Sequence, residues 1–215
     1  MSVRDEARSE RTLLVAAATR LLVITIAWNA VGGVATLVAG LVSGSLSLGG
    51  FGANTIIDTA ASAVLLVGFR AEIRDRARRS ERRIALAIAV AMVSVGASLV
   101  AGSVRALRNG PPAPDPSTVG LVLLAASIAI LPSIAVGKVR AAKQLESAGL
   151  RGDGMLTAAS AALAAIALAG AAMDRAWGWW WADPVAALAI ASFLLGAGAN
   201  GVRRLRGSER GRPPS

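Results

Sequence analysis

Six stretches of this chain, residues 21–42, 48–69, 84–104, 119–136, 154–173 and 184–202, are apolar for about 20 residues each and almost free of charge. Continuous apolarity of that length exceeds what the core of a small soluble domain can bury, and it matches the hydrocarbon thickness of a bilayer crossed as helix. The runs are rich in Ala, Leu and Val and do not alternate, so they predict helices, not the strands of an outer-membrane barrel. The fold class expected is an all-α membrane protein, a bundle of six transmembrane helices. Composition agrees, with 54% hydrophobic and 17% charged residues. The chain has no histidine and no cysteine, which removes disulfides, thiolate sites, thiol nucleophiles and the commonest general base.

The formal charge of +10 is distributed by topology. Arg4, Arg8 and Arg11, the run Arg70, Arg74, Arg76, Arg78, Arg79, Arg82 and Arg83, then Lys138, Arg140, Lys143 and Arg151, and finally Arg203, Arg204, Arg206, Arg210 and Arg212 all fall on one side if the termini share that side. Only Arg105, Arg108 and Arg175 fall on the other. The positive-inside rule makes the first side cytoplasmic, with both termini there. Anionic lipid headgroups, not nucleic acid, are the partners this pattern predicts.

Residues 1–12 read as a cytoplasmic arm, 13–205 as the transmembrane domain and 206–215 as a disordered cytoplasmic tail. Pro111, Pro112, Pro114 and Pro116 mark an outer loop. Trp177, Trp179, Trp180 and Trp181 read as an anchor at the outer water–lipid boundary. Scarce lysine beside abundant arginine, alanine and glycine points to a GC-rich bacterial genome, hence to the cell membrane.

Function must come from the polar groups at membrane depth, because an ionisable side chain there costs several kcal/mol unless it faces protein or water. Asp58 is the clearest, and Asn54, four residues earlier, projects from the same helix face. Asp58 either serves a cavity or glues helices through an amide such as Asn29. Asp153, between Gly152 and Gly154, is followed by Thr157 and Ser160 at helical spacing. It either lines the same cavity or caps a helix at the interface. Asn29, Ser94 and Ser98 read as interhelical hydrogen bonders, Gly32 and Gly33 as close-packing positions, and Pro132 as a kink.

Two stretches carry a family resemblance. Gly44-Ser45-Leu46-Ser47-Leu48 followed by Gly52-Ala53-Asn54-Thr55-Ile56-Ile57-Asp58-Thr59-Ala60-Ala61-Ser62 resembles the first and second helices of the cation diffusion facilitator (cation efflux) family. Gly152-Asp153-Gly154-Met155-Leu156-Thr157-Ala158-Ala159-Ser160, and later Gly178-Trp179-Trp180-Trp181-Ala182-Asp183-Pro184-Val185-Ala186-Ala187, resemble its fifth helix and the lead-in to its sixth.

The resemblance implies helices one, two, four and five around a central divalent-metal site, with three and six paired beside them. It also implies a homodimeric antiporter that exports zinc, manganese, iron or a similar cation in exchange for protons. Asn54 and Asp58 fall on the two helix-two ligand positions, and Leu156 and Ser160 on the helix-five positions where His or Asp, then Asp, are usual. Asp153 matches an acid of the cytoplasmic entrance. The expected metal-binding set is therefore Asp58, Asn54, Asp153 and Ser160, a degenerate site, with no ferredoxin-like cytoplasmic module after helix six.

One carboxylate, one amide and one hydroxyl suit a hard cation better than zinc, and metal and proton would compete for Asp58. No tightly bound cofactor is expected; the divalent cation is substrate. The alternatives are a non-transporting structural or regulatory relative, and a transporter of another small solute or of protons. No enzyme is expected, since no nucleophile–base pair or phosphate loop is present.

Overall fold

The computed structural model describes residues 3–70, 74–110 and 117–210, with side chains over 13–67, 85–110 and 117–203 and at Arg83. The expected proline loop at 111–116, the side chains of the arginine run from 70 to 82 and the last residues of the expected tail, 211–215, lie outside the described residues.

Six helices make up what is described: α1 (Val3–Ser43), α2 (Leu46–Arg70), α3 (Arg74–Asn109), α4 (Thr118–Gln144), α5 (Ala148–Trp177) and α6 (Ala182–Arg210). Each contains a span long and apolar enough to cross a bilayer: Leu13–Ser43, Leu46–Val67, Ala85–Asn109, Thr118–Gln144, Ala148–Trp177 and Ala182–Arg203. Large apolar side chains such as Val31, Leu41, Val42, Val119 and Val122 stand exposed on the outer surface of the bundle, where only lipid would make them stable. The helices outrun the apolar runs. α1 takes in residues 3–12 of the expected arm, and α6 continues to Arg210, into the expected tail.

Helix ends follow local chemistry. Gly44 and Gly178 adopt left-handed φ values of 68° and 67° and let α1 and α5 stop abruptly. Ser147 caps α5 by accepting from Leu150 N at 3.3 Å. α4 runs unbroken through Pro132, whose missing N–H leaves the carbonyl of Ile128 without its helical donor.

α1, α2, α5 and α4 close a ring, each packing on the next and α4 returning to α1; α3 and α6 pair with each other, α3 leaning on α2 and α6 on both α5 and α2. This is the arrangement the resemblance implies. Water is not there to drive helices together in lipid, so close backbone approach matters more. A Cβ on Gly40 would stand 2.3 Å from Gly49 N, and one on Gly52 would stand 2.4 Å from Leu37 N. Gly33 likewise abuts Thr55, whereas Gly32 meets only the Trp28 ring at 4.0 Å, so of the two glycines singled out from sequence only Gly33 serves packing between helices.

The two motifs of the resemblance form one hydrogen-bonded unit. Asp183, at the start of α6, is buried and accepts from Leu46 N at 2.8 Å, Ser45 Oγ at 2.7 Å, Ser47 N at 3.3 Å and Ser47 Oγ. Its carboxylate therefore caps the first turn of a different helix, α2, where the helix dipole favours negative charge. α6 is pinned to α2 at that end.

Candidate functional site

The facing sides of α2, α4 and α5 are apolar at both ends and polar between. Along α5 the buried face reads Leu150, Asp153, Thr157, Ser160, Leu163, at helical spacing. Leu150 belongs to a small apolar cluster with Ala18, Leu22, Ala141 and Ala142, and Leu163 belongs to the main core with Phe51, Ile57, Leu124 and Leu194. The polar groups are thus shut between two apolar layers.

They lie on two levels. At the upper level, near the middle of the α2 span, Asn54 Nδ2 donates to Ser160 Oγ at 3.0 Å and to Asp58 Oδ2 at 3.4 Å, while Ser160 Oγ donates to Asp58 Oδ2. All three side chains are buried, and Asn54 Oδ1 has no hydrogen-bond partner. A buried amide oxygen without a donor is costly in any fold, and beside a carboxylate and a hydroxyl it makes a set of hard oxygen donors open to a cation.

The lower level lies about 6 Å along the helix axis, the rise from Asp58 to Ser62. Ser62 Oγ donates to Asp153 Oδ1 at 2.5 Å, and Lys138 Nζ lies 2.5 Å from Asp153 Oδ2. Lys138 also donates to Thr157 Oγ1 at 3.0 Å, and Thr157 Oγ1 donates to the Asp153 carbonyl at 2.9 Å. Gly154 permits this contact: a Cβ there would stand 3.2 Å from Lys138 Cβ and 3.3 Å from Val139 N, so α4 could not come as close.

Of the four residues picked from sequence, the structure brings Asn54, Asp58 and Ser160 together and sets Asp153 a turn apart. Asp153 is no helix cap either, since Ser147 holds that position and Asp153 is inside α5. Asp58 pairs with Asn54 and Ser160, not with Asn29. The Asn29 reading as a hydrogen bonder needs correction in part, because its Oδ1 is buried and unpartnered. The antiparallel register of Gly33 against Gly52 and Thr55, and of Gly40 against Gly49, puts Asn29 at the level of Asp58. Ser94 and Ser98 are exposed, and Ser98 donates to the carbonyl of Ser94 on its own helix.

Lys138 is the largest departure from the sequence reading. It was expected among the basic loop residues, yet it is inside α4 and fully buried. Its position continues the buried stripe Leu131, Ile134, Ala135, Ala141 and Ala142, a periodicity that could have exposed it. Among the described residues, no three acidic, histidine or cysteine side chains gather into a metal-ligand group. Leu156, where the family pattern has a ligand, supplies none.

No curated protein matches the chain. The sequence profile of the cation efflux transmembrane domain matches residues 22–204, nearly the whole of the six-helix bundle and every polar residue of both levels. The chain belongs to the cation efflux family and is a multi-pass membrane protein that transports cations.

Proposed function

We propose that the chain exports a divalent metal cation in exchange for protons, by alternating access around Asp58, Asn54 and Ser160. The observation that carries this reading is a buried mid-span carboxylate beside an amide oxygen that has no partner. Such a pair is unfavourable unless a cation or proton visits it. Hard oxygen donors favour manganese or magnesium over zinc, and a proton arriving at Asp58 removes the only charge at the upper level and so releases the metal. The basic loops face the cytoplasm of the cell and meet anionic headgroups there, and two copies associate through their membrane helices.

The test is flux in proteoliposomes under an imposed pH gradient, with zinc, manganese, iron, cobalt and magnesium offered in turn. At least one metal moves, and Asp58→Ala abolishes its movement. If none moves and Asp58→Ala behaves as the parent, the reading is wrong. A second reading, transport of protons alone, draws on the single upper-level carboxylate, which is enough for a proton and meagre for a divalent ion. It shows itself as a pH-driven current that no metal changes.

A further inference from the structure

A lysine whose side chain is fully buried at membrane depth calls for a function. Lys138 lies six residues from the end of α4, within reach of the interface for a long side chain, yet its ammonium turns inward to Asp153 and Thr157. As a stabilising device the pair is weak, because removing both charges from water costs about as much as their attraction returns. Intramembrane ionisable groups are kept for what they do to ions.

The pair controls access to Asp153. Ser62 occupies one carboxylate oxygen and Lys138 the other, so this acid cannot ligate a cation while the ammonium stays. The Asp153–Lys138 pair sits beside Ser62, one helical turn along α2 from Asp58. When both carboxylates are ionised, one ammonium leaves the two levels with one net negative charge; without it they would carry two.

We infer that Lys138 is a tethered cation, which occupies Asp153 in the empty carrier and is displaced by the transported metal. It thereby sets the affinity of the site and supplies the charge that lets the empty carrier return. This rests on the metal-export reading above. A divalent ion entering from the cytoplasm exchanges with the ammonium at Asp153 on its way to Asp58, one cation for another, so that carboxylate is never bare in the membrane. When the metal leaves, the lysine takes its place again. Lys138 therefore sets affinity without being a ligand.

The experiment measures Mn²⁺ binding to the purified full chain by the electron paramagnetic resonance signal of the free ion, and Mn²⁺ flux in liposomes. Lys138→Met binds Mn²⁺ at least ~10-fold more tightly than the parent and turns over more slowly. The double variant Lys138→Met/Asp153→Asn, which removes both charges, binds no more tightly than the parent. Lys138→Arg, whose planar fork holds a carboxylate more firmly, binds several-fold more weakly and keeps the argument testable if the methionine variant does not fold.

An unchanged or weaker affinity in Lys138→Met, a double variant as tight as Lys138→Met, or a Lys138→Arg affinity equal to the parent's overturns the inference. Parent binding and flux with no gain in Lys138→Met sinks the inference alone. Binding by Lys138→Met with none by the parent overturns the inference as well, since the parent's ammonium is then not displaced by the metal. Binding by neither sinks both.

Discussion

Asp183 and Asp58 are both buried aspartates inside the same bundle, and they are treated in opposite ways. Asp183 receives four donors from Ser45 and the first turn of α2, two backbone amides and two hydroxyls. Asp58 receives a serine hydroxyl and one long amide contact, and the amide oxygen beside it is left without a donor. A fully served carboxylate is a structural fastening, because nothing can improve its surroundings. An underserved one can still gain from a proton or a cation. The sequence motif that looks most specific, Trp181-Ala182-Asp183-Pro184, therefore belongs to the architecture, and it is the plainer helix with Asn54 and Asp58 to which the proposed function assigns transport.

That contrast breaks most readily at Asp58. Asp58→Asn removes the charge while keeping a polar group of the same size, so metal flux falls by about 100-fold or more, or about 2.8 kcal/mol in cation stabilisation. Thermal unfolding in detergent, followed by tryptophan fluorescence, stays level or shifts upward, since a buried charge has been neutralised. A large loss of stability with flux retained would make Asp58 the fastening.

Asp183→Ala should do the reverse. It strands several buried donors at the start of α2, and the cost is about 2 kcal/mol of stability, seen as a lower unfolding temperature. Flux per folded molecule stays near that of the parent. If Asp183→Ala instead abolishes flux in a protein that unfolds at the parent temperature, the division of labour between the two aspartates collapses.

How much of this division could be read from residues alone depends on range. The spans were legible because hydropathy is a local property, and the pairing of Asn54 with Asp58 was legible because four residues make one turn. The joining of Ser160 to both could only be carried by resemblance, since periodicity does not say which helix faces which. Lys138 was misread for a definite reason. A basic residue near the end of an apolar run is ordinarily a topology signal, and Arg140 and Lys143 beside it are exposed as that rule expects. Only the phase of the buried stripe on α4 separates Lys138 from them. The binding of Asp183 to α2 spans more than a hundred residues of chain and left no local trace.

The smallest expected effect lies at the start of α5. Asp153 could have been the cap of this helix, and Ser147 holds that place instead, accepting from Leu150 N at 3.3 Å. Ser147→Ala then removes a capping acceptor and costs about 1 kcal/mol of stability. It leaves Mn²⁺ affinity and flux per folded molecule as they were, because Asp153 is held by Ser62 and Lys138 on other helices. A Ser147→Ala protein as stable as the parent would show that the Ser147 cap contributes nothing to the stability of α5. A stable variant with altered affinity would instead show that the first turn of α5 moves with the cation, extending the functional region to the end of the helix and away from the fixed aspartate at α6.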